Sequence, residues 1–154
     1  MYPTLVALHS WMRWLVLISL LFAIYRAYRG WLGSQMFTRF DNTVRHTSVT
    51  ILHLQFLIGL GLYFISPLTD YFMHHFKDAM HERQARFFGL EHISVMLVAV
   101  VVTTIGSAKA KRKRSDKQKF KTMAIWFTIG LLLILSSIPW PFSPLISRPW
   151  IRGF

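Results

Sequence analysis

The stretch Phe87–Ala108, FFGLEHISVMLVAVVVTTIGSA, is an almost unbroken run of apolar residues. At about 1.5 Å per residue in a helix, it is long enough to cross the hydrocarbon core of a bilayer. Two adjacent ionisable residues, Glu91 and His92, interrupt the run near its Phe87 end. Because an ionisable side chain inside a membrane span costs about 2.5–3.5 kcal/mol on insertion scales, the pair indicates a functional site.

The composition also indicates a membrane protein. Of the 154 residues, 53% are hydrophobic, and these residues occur in long blocks rather than in amphipathic stripes. The net charge of +12 lies mostly between the apolar blocks, as topology signals do, so we predict no nucleic-acid partner. The chain has no cysteine, which excludes disulfides, thiolate-bound zinc and iron–sulfur clusters. Any cofactor must therefore be held by His, Met, Asp, Glu or Tyr.

Four apolar blocks predict a single transmembrane domain over residues 1–154. The connections between the blocks are short, which predicts an all-α integral membrane protein built as an up-down four-transmembrane-helix bundle. The predicted spans are about 5–28, 43–66, 86–108 and 122–138.

The connecting segments carry further signals. Leu68, Phe72, Phe76 and Ala79 recur at helical spacing, which predicts a short interfacial helix between spans two and three. Gly30 and Gly33 are expected to end the first helix, and Asp41 or Asn42 to cap the second.

The distribution of Lys and Arg predicts the orientation. The first and third loops carry four and eight of these residues, the second loop with its flank carries three, and the C-terminal tail carries two. The positive-inside rule then predicts a multi-pass protein of the bacterial inner membrane with both termini in the periplasm.

The histidines suggest a cofactor site. His9 and His92 each lie about 6–7 Å inside their spans from the outer end, on helices that are diagonal neighbours in an up-down bundle. Imidazole is a common ligand of haem iron, so we predict one b-type haem between His9 and His92, with His53 as a second, deeper choice. Arg13 and Arg86 lie near the same level and are expected to pair with the haem propionates.

Other polar residues have alternative roles. Glu91 points about 100° away from His92 around the helix, and we expect it to pair with Arg13 or to handle protons at a quinone site that includes Gln55. Met96 lies one turn after His92, so an alternative prediction is a Cu(I) site of His9, His53, His92 and this thioether. A structural alternative is that these side chains only form hydrogen bonds between helices, each contributing about 0.6–2 kcal/mol to stability.

Several strings together resemble a family of small four-helix integral membrane proteins of Bacteroidota that are often labelled cytochrome b. The matching positions include His9, Arg13, His53, Gln55 and the adjacent Glu91 and His92. The strings are LHSWMRWLVL (8–17), LHLQFLIGLGLYFISP (52–67), ARFFGLEHISVMLVAV (85–100), TIGSAKAK (104–111) and LSSIPWPF (135–142).

The resemblance implies a b-type haem and electron transfer. A two-haem cytochrome b places two histidines about four turns apart on one helix, a spacing that no span here has, so the resemblance implies at most one haem.

Three functions therefore remain open from the sequence. The first is a single-haem electron carrier or a quinone-linked cytochrome subunit, rather than a stand-alone enzyme. The second is a non-catalytic accessory or structural subunit of a larger membrane complex, and the third is a copper- or proton-handling membrane protein. The expected partners are the lipid bilayer and other membrane subunits or further copies of this chain.

Overall fold

A computed structural model describes residues 1–143, 146 and 148–150, and its regular elements are all helical. Four stretches are long and apolar enough to cross a membrane, with Arg83–Arg112 as the third of them. This confirms the predicted all-α bundle of four transmembrane helices. The elements in order are α1 (Tyr2–Leu32), α2 (Arg39–Ile65), α3 (Pro67–His74), α4 (Phe76–Ala79), α5 (Arg83–Arg86), a π-helical turn (Phe87–Glu91), α6 (His92–Arg112) and α7 (Asp116–Ser137).

The four long helices form a closed ring in which α1 packs against α2 and α7, and α6 packs against the same two helices. Helices α1 and α6 are therefore diagonal, as predicted. We call the end of the bundle that holds His9 and His92 the histidine end. The opposite end, which holds the charge-rich segment Lys109–Lys121, is called the basic end.

The packing of the bundle suits a lipid environment. Small residues such as Ala23, Ala27 and Ala99 are fully buried, which lets neighbouring helices approach closely. Large apolar side chains point outward instead, and Ile18 and Leu57 are each at least 60% exposed. This inversion of the usual soluble pattern is expected when the exterior solvent is hydrocarbon.

The N-terminus of α2 differs from the sequence prediction. Thr38, not Asp41 or Asn42, is the N-cap residue, and its hydroxyl accepts a hydrogen bond from the Asp41 backbone N–H at 3.3 Å. The Asp41 carboxylate accepts in turn from the Thr38 backbone N–H at 3.0 Å, which completes a capping box. Gly33 follows the last residue of α1 as expected, whereas Gly30 lies within that helix.

A polar network at the basic end joins α1, α2 and α6. The Asp41 carboxylate, which is 1% exposed, accepts from Arg26 of α1 at 2.6 Å. Arg45, also buried, donates to Asn42 at 2.9 Å and to both oxygens of Ser107 on α6. These hydrogen bonds provide partners for the buried side chains of Asp41 and Arg45. They also hold the start of α2 against α1 and α6.

The short helix predicted between spans two and three is found, but it is divided at His75 into α3 and α4. Its position at a membrane interface stays a prediction. Phe72 of α3 packs directly on Gly89, where any side chain would collide with the phenyl ring. The Gly89 carbonyl accepts from the Tyr63 hydroxyl at 2.9 Å. Gly89 lies in the π-helical turn, so the third span contains a widened turn near its start where the sequence predicts regular helix.

Candidate functional site

A cavity of about 220 Å³ lies between α1, α2 and α6 at the histidine end. Its lining extends over residues 2–16 of α1, 52–63 of α2 and 88–100 of the third span, or roughly 15–20 Å along the helix axes. Most of the lining is apolar. The polar exceptions include His9, Arg13, Gln55 and His92, four of the residues that the sequence singled out.

His9 and His92 meet across this cavity, as their predicted depths require. The centroids of the two imidazole rings are 6.5 Å apart, and the ring planes are inclined by 78°. The rings come from diagonal helices, so they lie opposite each other in the middle of the bundle at this level. Arg13 lies one turn deeper than His9 on the same face of α1.

The orientation of His92 is set by α7. His92 Nδ1 lies 2.8 Å from the carbonyl oxygen of Ser137. This carbonyl is in the last turn of α7, where backbone oxygens have no helical donor. Because a carbonyl only accepts, Nδ1 carries the proton and the lone pair remains on Nε2. A backbone partner of this kind commonly fixes the tautomer of a metal-binding histidine.

His9 is held differently. Its ring packs against Gly59 of α2, where an added Cβ would lie 3.0 Å from His9 Cε1. The Gln55 side-chain amide donates to the His9 backbone carbonyl at 2.9 Å. The absence of a side chain at Gly59 is therefore what gives the His9 ring its place in the cavity.

Three polar atoms that line this cavity lack partners. They are His9 Nδ1, Arg13 Nε and Gln55 Oε1, and among the described residues they are the buried side-chain nitrogen and oxygen atoms without a hydrogen bond. Buried polar atoms in folded proteins nearly always have partners, because desolvation without one costs free energy. Their concentration in one cavity indicates a ligand with polar groups.

His53, the second choice as a ligand, does not line the cavity. Its Nε2 lies 2.8 Å from the hydroxyl of Thr104, which is about 18 Å further along α6 than His92. This contact is an interhelical hydrogen bond of the kind that joins helices in membranes.

The prediction of an ion pair between Glu91 and Arg13 is wrong, because Glu91 pairs with Arg86 instead. Glu91 accepts from Arg86 at 2.8 Å, and Arg86 also donates to the Met80 carbonyl. The two residues are five positions apart, and the π-helical turn between them brings such positions to one side of the helix. The pair is more than a third exposed, and neither residue lines the cavity.

Two backbone contacts at the site were not predicted from the sequence. One is the Ser137 carbonyl, and the other is the Trp150 carbonyl, which accepts from the Arg13 guanidinium and from Trp14 Nε1. The Ser137 contact has a weak sequence signal, because a helix that ends before Pro139 leaves free carbonyls near its end. The Trp150 contact depends on how the tail folds back, for which the sequence has no local signal.

The fold and the cavity together define a class: a multi-pass, all-α membrane protein with two opposed histidines in the bundle interior. Comparisons with protein-family models, with curated proteins and with solved structures each find no match to this chain. In the part of the chain that the structure describes, no group of three or more His, Asp or Glu side chains is arranged to hold a metal ion.

Proposed function

We propose that this chain is a membrane electron-transfer protein that holds one b-type haem between His9 and His92. The observation that supports this most is the opposition of the two imidazoles across a buried, mostly apolar cleft. Histidines on facing helices of a bundle are an established way to hold haem iron. The bound group would supply one-electron chemistry, and the chain would supply its ligands, orientation and surroundings.

Three further observations support such a group. The centroids of the His9 and His92 rings are 6.5 Å apart, so a group bound in this space would be within reach of both imidazoles. His92 offers Nε2, and the roughly 15–20 Å cleft is long enough for a flat macrocycle. A bound ligand with polar groups would also offer a partner to His9 Nδ1, which otherwise has no hydrogen bond.

Arg13 is the better partner for a haem propionate than Arg86. Arg13 lines the cavity and has a buried Nε without a hydrogen bond. Arg86 already pairs with Glu91. The same reasoning favours Gln55 over Glu91 as the residue that would bind a quinone, since only Gln55 lines the cavity and its Oε1 is free to accept from a quinol hydroxyl.

The test of this proposal is a dithionite-reduced minus oxidised visible spectrum of the detergent-purified protein, expressed with haem supplied. We expect the sharp α-band of a six-coordinate b-type haem. A flat spectrum would reject the proposal. In that case stoichiometric copper in a metal analysis would favour the alternative copper site. Of its residues, His9, His92 and Met96 all line the cavity.

Gly59 offers a direct test of the cavity geometry. Gly59→Val adds a branched side chain where even a Cβ lies 3.0 Å from His9 Cε1, so the His9 ring must move. Displacing a ligand in this way should reduce bound haem by about tenfold or more, as loss of outer-shell support does at metal sites.

The matched control for this change is Gly61→Val on the same helix. A Cβ at Gly61 meets no atom within 4 Å, and the cost in helix propensity is the same. Haem content per folded protein, from the α-band and circular dichroism, is the measurement. Equal loss in both variants would mean that Gly59 does not act through His9.

We further propose the bacterial inner membrane as the location, with the histidine end and both termini in the periplasm, because the basic residues concentrate at the opposite end. The chain lacks cysteine, so single substitutions can be labelled without background. Lys77→Cys should react with an impermeant maleimide in spheroplasts, and Lys113→Cys only after lysis. The reverse pattern would overturn this orientation.

A further inference from the structure

A second cavity lies at the basic end, far from the histidines. It is open to the surface, since most of the residues that line it are exposed, and it is formed where α2 begins, α6 ends and α7 begins. Its lining includes three basic residues and no carboxylate. The lining residues are Phe37, Thr38, Arg39, Asn42, Thr43, Lys111 and Lys119.

The charges in this cavity are not balanced. Among the described residues, the side chains of Arg39 and Lys111 form no ion pair, and Lys119 lies 3.5 Å from the partly exposed Asp116. The carbonyl oxygen of the Asn42 side chain already accepts from Arg45, which leaves the Asn42 amide hydrogens as donors. The cavity therefore presents cations and donors that suit an anion.

The basic end carries side chains of the kind found at a membrane interface. Three lysines there, of which Lys119 lines the cavity, place their ammonium groups over aromatic rings, at distances of 4.6–5.6 Å from the ring centroids. Such pairing of lysine with aromatic residues is typical of the headgroup region, where long basic side chains extend from the apolar span toward water. The three pairs are Lys109 with Trp126, Lys119 with Phe37 and Lys121 with Trp31.

The chain beside the cavity is also apolar on its outer surface. Met36 and Phe40 flank the lining residues in sequence and are 78% and 55% exposed. A cationic cavity next to exposed apolar side chains matches a molecule with an anionic head and hydrocarbon chains. Free phosphate would use only the cationic part.

We infer that this cavity binds the phosphate headgroup of an anionic phospholipid from the leaflet at the basic end. Arg39 and Lys111 would pair with the phosphate oxygens, and the acyl chains would lie along the outer face near Phe40. The inference uses residues distant from His9 and His92 and does not depend on bound haem.

The test is a titration of the full-length protein in neutral detergent with phosphatidylglycerol, read by native mass spectrometry at physiological ionic strength. The double variant R39Q/K111Q should bind this lipid about tenfold or more weakly than the unaltered protein. The control K113Q/R114Q removes the same charge from the same end but outside the cavity lining. Its affinity should change by less than about threefold, because exposed charges are screened beyond roughly 8 Å.

Each other outcome overturns the inference. Equal weakening in both double variants would mean general electrostatic attraction, and no weakening in R39Q/K111Q would mean that the cavity does not bind the lipid. Inorganic phosphate that displaces the lipid at millimolar concentration would mean a free-anion site. Circular dichroism and the visible spectrum should be unchanged in both variants, which separates this test from that of the haem proposal.

Discussion

Replacing His92 with alanine is expected to remove essentially all bound haem, with a loss of affinity of at least about 100-fold. Loss of an outer-shell partner alone typically costs 10–100-fold at metal sites, and this change removes a ligand itself. His92 is the stronger of the two candidates because the Ser137 carbonyl fixes its ring and leaves Nε2 for the iron. The measurement is the α-band per folded protein in the reduced-minus-oxidised spectrum.

The matched control for this prediction is His53→Ala. His53 is also a histidine within a span, but it bonds to Thr104 and lies away from the cavity, so its loss should leave the α-band in place. Added imidazole should partly restore the spectrum of His92→Ala, because the truncation leaves space for it. Rescue would distinguish ligation from a structural role of the Ser137 hydrogen bond. An unaltered α-band in His92→Ala would exclude this residue as a ligand.

Replacing Asp41 with alanine is expected to cause the largest loss of stability, about 3 kcal/mol or more. The Asp41 carboxylate is 1% exposed and accepts from Arg26 at 2.6 Å. It also accepts from the backbone N–H and the hydroxyl of Thr38. The substitution leaves the Arg26 guanidinium, itself only 23% exposed, without its partner. Unfolding by SDS titration in mixed micelles is the appropriate measurement.

Asp116→Ala is the matched control, since it also removes a carboxylate from the first turn of a transmembrane helix. Its carboxylate lies 3.5 Å from Lys119 Nζ, and the Asp116 side chain is 40% exposed. The expected loss of stability is therefore below about 1 kcal/mol. Asp41→Asn should fall between the two, because one acceptor oxygen remains. Similar losses for Asp41→Ala and Asp116→Ala would contradict a dominant role of the buried pair. A double-mutant cycle with Arg26→Ala would measure the coupling itself.

Much of the candidate site was accessible from the sequence because membrane spans impose a depth scale. Once each span has a start, its length and rise place His9 and His92 at one level, and an up-down bundle makes their helices diagonal. The same reasoning assigns His53 to a deeper level, and its bond to Thr104 agrees with that. Depth alone thus separated the opposed histidines from the third one.

The partner of Glu91 could not be found in this way. Regular helical geometry directs Glu91 away from Arg86, whereas the π-helical turn at Phe87–Glu91 brings them together. At that turn Gly89 contacts Phe72 and accepts a hydrogen bond from Tyr63, and both of these residues come from other helices. No local pattern in the sequence encodes such a tertiary constraint.

The sequence by itself determined that this chain forms four membrane-spanning helices, because long apolar blocks can satisfy their backbone in lipid only as helices. It also determined the levels of His9, His53 and His92 within their spans, because helical rise is constant. Only the tertiary structure decided that the Ser137 carbonyl orients His92, that Gly59 makes room for His9, and that Glu91 pairs away from the cavity. These features depend on the rotation of each helix about its axis, which side-chain packing between helices sets and hydropathy does not.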